Sequence, residues 1–155
     1  MGSPRIGRSN PTLDVTVSSA VRRCALSPAA AADLVRRALR AEGVRHAVVS
    51  VAFVGRRRIR SLNRTYLGHD RETDVLAFAL PGAAGVVVGD VYCAPESAAR
   101  AARRYGVGLR EELRRLVVHG VLHVLGHDHP EGAGRELSAM WLRQESLLRR
   151  LRGGR

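Results

Sequence analysis

The sequence contains no lysine, so all 26 of its basic residues are arginine. Only 14 residues are acidic, and the formal net charge is therefore +12 at pH 7. A domain this basic is drawn to polyanions, and arginine can bind a phosphate through two hydrogen bonds or stack on an unpaired base. Aromatic residues make up only 4% of the chain, which argues against a sheet of base-stacking rings. Recognition of RNA would then depend mainly on phosphate contacts and shape.

Cysteines and long apolar runs are also scarce. Cys24 and Cys93 lie far apart and outside any C-x-x-C pair, and nothing near the start resembles the apolar region of a secretory signal. We therefore expect reduced thiols in a cytoplasmic protein. No apolar run approaches the roughly 18 residues of a membrane-spanning helix, so we expect no membrane span. The 155 residues suffice for one domain whose core needs no disulfide.

The hydrophobic pattern predicts an α+β fold in a single domain, with a mixed sheet of about four strands packed against about five helices. We expect a flexible arm at residues 1–11, a domain at 12–152 and a tail at 153–155. Predicted strands cover residues 13–17, 46–54, 73–80 and 86–93. Predicted helices cover residues 29–42, 55–66 and 95–105, followed by a long central helix from 109 and a terminal helix through 151. An apolar stripe on the terminal helix is expected to be core without a chemical role: Leu137, Met140, Trp141, Gln144, Leu147 and Leu148.

Histidines cluster at the end of the central helix. His119 and His123 are four residues apart, which places their side chains on one face, one helical turn from each other. Gly126 stands where a left-handed residue would end the helix, so the chain beyond it can return a third imidazole toward the first two. Three imidazoles favour Zn²⁺ and leave its fourth position open. We therefore expect one zinc ion per chain at this end of the helix.

The third ligand has two candidates. The spacing H-x3-H-x2-G-x2-H, which selects His129, is that of metzincin zinc peptidases. His127 is the alternative, and we expect it to pack or to line the pocket. Those peptidases carry a glutamate as general base where this chain has Gly120, so peptide hydrolysis loses its main support. Of the remaining histidines, His46 is expected on the surface, and His69 on the surface or facing the cleft.

The same run, H-G-V-L-H-V-L-G-H-D-H, closely resembles the signature of the YbeY-type metal-dependent endoribonuclease family. Two upstream segments extend the resemblance. Leu62-Asn63, Tyr66, Gly68, Asp70 and the run from Thr73 to Phe78 are similar to the family's L-N-x-x-Y-R-G-x-D-x-P-T-D-V-L-S-F segment, and Gly89-Asp90-Val91 with Cys93 to its G-D-[IV]-x-[IL]-C strand. Together the three segments span roughly residues 59–129, in the family's order.

The resemblance implies a zinc-dependent, single-strand-specific endoribonuclease that matures the 3′ end of small-subunit ribosomal RNA and acts in ribosome quality control. Its partners would be ribosomal RNA and the ribosome or assembly factors. His119, His123 and His129 would be ligands and take part in catalysis. Asp90 lies in an apolar strand, where a carboxylate is costly to bury without a partner. We expect it to accept a hydrogen bond from a ligating imidazole or to lie near the open metal position; otherwise it is exposed at a bulge.

The chain departs from the family in its arginines. Leu67 stands where the family places an arginine after the motif tyrosine, and Glu72 replaces a proline. Arg71 or Arg64 could supply the missing charge, and Arg71 is our candidate for a catalytic role. The second predicted helix carries Arg56, Arg57, Arg60 and Arg64, which are either a solvated face or RNA contacts.

Two other functions fit the residues. The first is a zinc hydrolase of another substrate, including peptides. The second is an RNA-binding ribosome-assembly factor in which the metal only fastens the loop to the helix. The sequence does not predict the oligomeric state.

Overall fold

The computed structural model describes residues 9–130, 132 and 134–152, so most of the predicted arm, at residues 1–8, and the predicted tail, at 153–155, lie outside the described residues. The strands are β1 (Thr12–Ser19), β2 (His46–Phe53), β3 (Val75–Leu80) and β4 (Val87–Cys93). The helices are α1 (Pro28–Ala41), α2 (Arg56–Leu67), α3 (Pro95–Tyr105), α4 (Leu109–Val124) and α5 (Ala139–Arg152), with a 3-10 turn at Arg135–Leu137. The predicted α+β class, with four strands and five helices, is confirmed.

The four strands form one mixed sheet in the order β1-β2-β4-β3. β1 and β2 are parallel and so are β2 and β4, whereas β3 runs antiparallel to β4. The pairing of β4 with both neighbours is continuous through Gly89 and Asp90, so there is no bulge at this point.

One face of the sheet carries the main core. Alternate residues of β2, namely Ala47, Val49, Val51 and Phe53, are buried there. They pack with the apolar stripes of α1, α4 and α5. The other face is partly covered by α2, whose Ile59 and Leu62 pack near Leu76 of β3. Because side chains alternate between the faces of a strand, the two sets of contacts come from alternate positions.

Local chemistry sets the ends of α1 and α4. Ser27 caps α1 by accepting a hydrogen bond from the backbone N–H of Ala30 at 3.2 Å. Gly43 and Gly126 have φ values of 76° and 95°, the left-handed conformation that ends a helix. The terminal helix is interrupted, and Leu137, predicted as core, lies in the 3-10 turn with 83% of its surface exposed. That prediction is wrong because the stripe begins only at Met140.

No helix among the described residues combines the length and the hydropathy required to cross a membrane.

Candidate metal centre

Three histidines converge at the end of α4. His119 and His123 lie one helical turn apart, and their Nε2 atoms are 3.1 Å from each other. The left-handed turn at Gly126 reverses the chain, so that Nε2 of His129 comes within 3.2 Å of Nε2 of His119. The ligand atoms of all three residues lie within 4.8 Å of one another. The predicted cluster therefore forms, and it is positioned to hold a metal ion.

Hydrogen bonds on the far side of each ring set its orientation. Nδ1 of His119 donates to the side-chain oxygen of Gln144 at 2.6 Å, and Nδ1 of His123 donates to the carbonyl of His127 at 3.0 Å. Nδ1 of His129 donates to the carbonyl of Pro130, also at 3.0 Å. Because these partners accept the Nδ1 proton, each neutral imidazole is the tautomer in which Nε2 carries a free lone pair. Three lone pairs facing one point repel one another unless a cation lies between them.

The protonation of the cluster suits a metal ligand, which must be neutral imidazole. Burial lowers the pKa of His119 to about 3, against the opposing effect of its hydrogen bond to Gln144. Burial also lowers the pKa of His123, and the neighbouring His129 adds to this effect. At neutral pH both rings are therefore ready to bind a cation without first losing a proton.

A buried polar network supports the first ligand. Gln144 is 1% exposed, and its side-chain N–H donates to Glu145 at 3.2 Å, which turns its oxygen toward His119. Glu145 in turn accepts a hydrogen bond from Arg115 at 2.8 Å. We predicted Gln144 to be core without a chemical role, and the second half of that prediction is wrong. A polar residue within an apolar stripe was the available signal, since burying an amide is costly without partners.

Two glycines let α4 approach β4 closely. A Cβ atom added to Gly120 would lie 2.4 Å from Cγ1 of Val91, and one added to Gly89 would lie 2.4 Å from Cγ1 of Val124. A glutamate at position 120, as in the metzincin peptidases, would collide with Val91 on the strand. The close packing of α4 on β4 therefore explains why position 120 is occupied by glycine.

The histidine cluster opens into a cleft of about 580 Å³. The end of α2, the loop that follows it and the start of β3 form its opposite wall. Asn63 fastens this loop, because its side-chain N–H donates to the carbonyl of Arg71 at 3.0 Å. Leu67, Arg71 and Asp74 line the cleft with the three histidines. The matched segment of residues 62–78 thus faces the metal centre.

Sequence reasoning did not single out two charged residues of the cleft. Asp74 lines it, and burial raises the pKa of its carboxyl group. Arg135 also lines it, and its buried Nε has no hydrogen-bond acceptor among the described residues. Asp74 lies within the matched segment and could have been found there. Nothing in the sequence near Arg135 marks it, because its place depends on how the chain returns after the histidine loop.

Asp90 does not support the cluster. Its carboxylate accepts a hydrogen bond from the Ser50 hydroxyl at 2.6 Å, and the three Nδ1 donors have other acceptors. Along β4, Gly89 and Val91 are buried against α4, so Asp90 between them points to the other face of the sheet. The expectation of a bond to a ligating imidazole is wrong, as is the alternative of a bulge, and Asp90 does not line the cleft.

The predicted RNA-binding arginines fall into two groups. Arg56 forms an ion pair with Glu72 at 2.9 Å, and Arg60 forms one with Asp70 at the same distance. Arg57 and Arg64 are exposed and make no ion pair with the described residues within 4.0 Å. Arg57 and Arg64 therefore offer their charges to a ligand more readily than Arg56 and Arg60.

The other three histidines stay outside the cluster. Nε2 of His127 lies 3.7 Å from a carboxylate oxygen of Glu42, so its ring faces α1. His46 contacts the Ser9 hydroxyl at 3.2 Å. His69 lines the cleft on the wall opposite α4.

Comparisons with known proteins identify the family of this chain. The model of the family described as Endoribonuclease YbeY matches residues 19–152. A protein of that name from Pelotomaculum thermopropionicum is 40% identical over 150 residues, covering 90% of this chain and 97% of the relative. One from Aquifex aeolicus is 42% identical over 101 residues, covering 64% of this chain and 67% of the relative. A Thermotoga maritima protein solved in solution shares the fold, with a TM-score of 0.60 and 24% identity over 90% of this chain and 89% of that chain. The chain belongs to the YbeY endoribonuclease family.

Proposed function

We propose that this protein is a zinc-dependent endoribonuclease that cuts single-stranded RNA. We further propose that it acts in the cytoplasm, in maturation of the 3′ end of small-subunit ribosomal RNA and in ribosome quality control, with the ribosome or assembly factors as partners. The convergence of three imidazole Nε2 atoms at the cleft carries the proposal. The name of the relatives, Endoribonuclease YbeY, supports the reaction.

The donor set suits zinc. In a tetrahedral site with Zn–N bonds of about 2.0–2.1 Å, ligand nitrogens are about 3.3–3.4 Å apart. The spacings of 3.1 and 3.2 Å around His119 are close to that value. Three protein ligands leave a fourth position, as in catalytic zinc sites. A zinc ion held there supplies a Lewis acid that can polarise a phosphoryl oxygen.

The arginines that line the cleft are Arg71 and Arg135. We propose that they stabilise the negative charge of the phosphodiester. Arg135 is the stronger candidate because its buried Nε has no acceptor among the described residues. These two residues would take the place of the arginine absent at Leu67.

Asp74 is our candidate for accepting a proton from the attacking hydroxyl. The cleft has three carboxylates, and Asp74 is the one that is neither held in an arginine ion pair among the described residues nor exposed. Glu72 is held by Arg56 and Arg100, and Asp128 accepts the backbone N–H of His129 at 2.8 Å. Burial raises the pKa of Asp74 toward the range in which a carboxylate can act as a general base.

The first test combines elemental analysis with cleavage of single-stranded RNA. We expect about one zinc per chain and metal-dependent cutting in the wild type. His123→Ala should lose both. His127→Ala is the matched control, since its ring lies outside the cluster, and it should keep both. Stoichiometric zinc without metal-dependent cleavage would refute the nuclease proposal.

Asp74→Asn tests the proton acceptor separately. We expect it to keep its zinc and lose cleavage by about 10²–10⁴-fold, the usual contribution of a general base. Cleavage at the wild-type rate would remove Asp74 from the mechanism and leave the metal site untouched.

The second candidate, an assembly factor with a structural metal, is favoured by two observations: the histidines join α4 to the loop beyond it, and Leu67 replaces the family arginine. In that case chelation should lower the melting temperature sharply, while RNA binding and processing in cells persist in folded ligand variants.

A further inference from the structure

A second cavity, of about 510 Å³, lies beside the cleft and between α3, α4 and α5. Its size falls within the roughly 300–1,000 Å³ of small-molecule sites. Asp74, His119 and Arg135 line both spaces. The cavity therefore borders the histidine cluster directly, and we call it the side cavity.

The side cavity has aromatic walls in a chain that has few aromatic residues. Phe53 is buried in the main core. Tyr66, Phe78 and Tyr92 form a separate group, with ring centroids 5.5 and 6.1 Å apart. The remaining two aromatic residues, Tyr105 and Trp141, both line the side cavity. Rings in such a position offer faces on which a base can stack.

Its charges disfavour a phosphate. The lining has three guanidinium groups against four carboxylates: Arg104, Arg115, Arg135, Asp74, Glu112, Glu136 and Glu145. Arg115 is held by Glu112 at 3.0 Å and by Glu145 at 2.8 Å, so its charge is compensated. Carboxylates can instead accept hydrogen bonds from the amino groups of a base.

Arg135 stands between the two spaces. Its guanidinium carbon lies 5.7 Å from the centroid of the Trp141 ring, and its buried Nε has no acceptor among the described residues. A buried donor without a partner is unfavourable, so an acceptor on a bound ligand would stabilise it. A nucleotide offers such acceptors on both its phosphate and its base.

We infer that the side cavity receives the nucleobase next to the phosphodiester held at the histidine cluster. The inference rests on the proposed function for what occupies that cluster. A base in a duplex is stacked and paired and cannot enter such a cavity, whereas an unpaired base can be turned out of the strand. The side cavity would thus favour single-stranded substrates.

Trp141 is the only tryptophan, so its fluorescence reports on the side cavity. The zinc-loaded full chain is titrated with a short 2′-O-methyl phosphorothioate RNA, which resists cleavage, and with the same backbone made abasic. We expect saturable quenching by the first and none by the second. Equal quenching by both, or binding of the first by fluorescence anisotropy without quenching, would overturn the inference.

Substitutions provide an independent readout. Tyr105→Ala and Trp141→Ala should each raise KM for single-stranded RNA by about tenfold, as expected for loss of one stacking contact. Leu142→Ala, at a 61% exposed position of α5 outside the lining, should leave KM unchanged. Tyr105 is 66% exposed, so its substitution does not threaten the fold. An unchanged KM in both aromatic variants would contradict the inference.

The two proposals fail separately. If RNA cleavage depends on His123 but RNA binding leaves Trp141 fluorescence unchanged, only the proposal of a nucleobase in the side cavity is refuted. If quenching depends on the base but no RNA is cleaved, the nuclease proposal is refuted and the proposal of a nucleobase site stands.

Discussion

At the scale of single residues, the partners of Nδ1 determine what the histidine cluster presents to a ligand. Gln144 and two backbone carbonyls accept the Nδ1 protons, and all three Nε2 lone pairs turn inward as a result. Two of the acceptors belong to the loop after α4, whereas Gln144 comes from another helix. Such partners of metal ligands fix the tautomer and the ring orientation.

Gln144→Leu should weaken zinc binding by about 10- to 100-fold, since His119 would lose the acceptor that orients its ring. Competition with a chromophoric chelator measures the affinity. Gln144→Glu keeps an acceptor and should bind zinc nearly as well as the wild type. If the leucine variant also binds like the wild type, Gln144 does not orient the ligand.

Burial raises the pKa of the Cys93 thiol well above its usual range, and Cys93 is fully buried in the core. Because the thiolate is the reactive form, alkylation of the native protein at pH 8 should spare Cys93 and reach the partly exposed Cys24 first. In guanidinium chloride both should react. Peptide mass spectrometry distinguishes the sites, and rapid native labelling of Cys93 would contradict the packing described.

At the scale of elements, the close approach of α4 to β4 sets the depth at which the histidines lie. Gly120 faces Val91, and one turn later Val124 faces Gly89, so a small residue meets a branched one at both contacts. A helix held this close to the sheet carries His119 into the interior, where it is only 4% exposed. The depth of the helix thereby contributes to the low pKa of this ligand.

Gly120→Ala should therefore destabilise the protein. Overpacking costs about 1–3 kcal/mol and exceeds the gain of about 1 kcal/mol that alanine brings to a helix. Urea unfolding measures the free energy of unfolding. In a Val91→Ala background the obstructing methyl groups are gone, and the same substitution should be neutral or stabilising. Equal costs in both backgrounds would exclude this contact as the cause.

At the scale of the whole molecule, ion pairs determine how much of the +12 charge faces a ligand. Glu72 binds both Arg56 and Arg100, and these pairs lower its pKa to about 2. Asp70 likewise compensates Arg60. An RNA strand that reaches the cleft along α2 would therefore meet the charges of Arg57, Arg58 and Arg64, which form no ion pair with the described residues.

The logarithm of the RNA association constant should fall linearly with the logarithm of salt concentration. Arg57→Gln or Arg64→Gln should each reduce that slope by about 0.7, the contribution of one phosphate contact on a single strand. Arg110→Gln serves as the control, because Arg110 is exposed at the opposite end of α4 from the histidines and lines neither the cleft nor the side cavity. Fluorescence anisotropy in a salt series provides the slopes, and unchanged slopes in both variants would exclude Arg57 and Arg64 from the RNA interface.

The sequence by itself determined the elements and the first two ligands. Periodic apolar residues, Ser27, Gly43 and Gly126 act within a few positions of the chain, so the helices, strands and turns follow from local rules. The spacing of His119 and His123 is also local, and the motif resemblance supplied His129.

Only the tertiary structure decided which side chains meet from distant parts of the chain. Gln144 reaches His119 from α5, Arg135 enters the cleft from the 3-10 turn, and Asp90 points to the opposite face of the sheet. Local patterns specify an element and its apolar side, but they do not specify which neighbour a polar group will meet. That choice depends on the packing of helices against the sheet, where α4 lies close enough to β4 for glycine alone to fit at position 120.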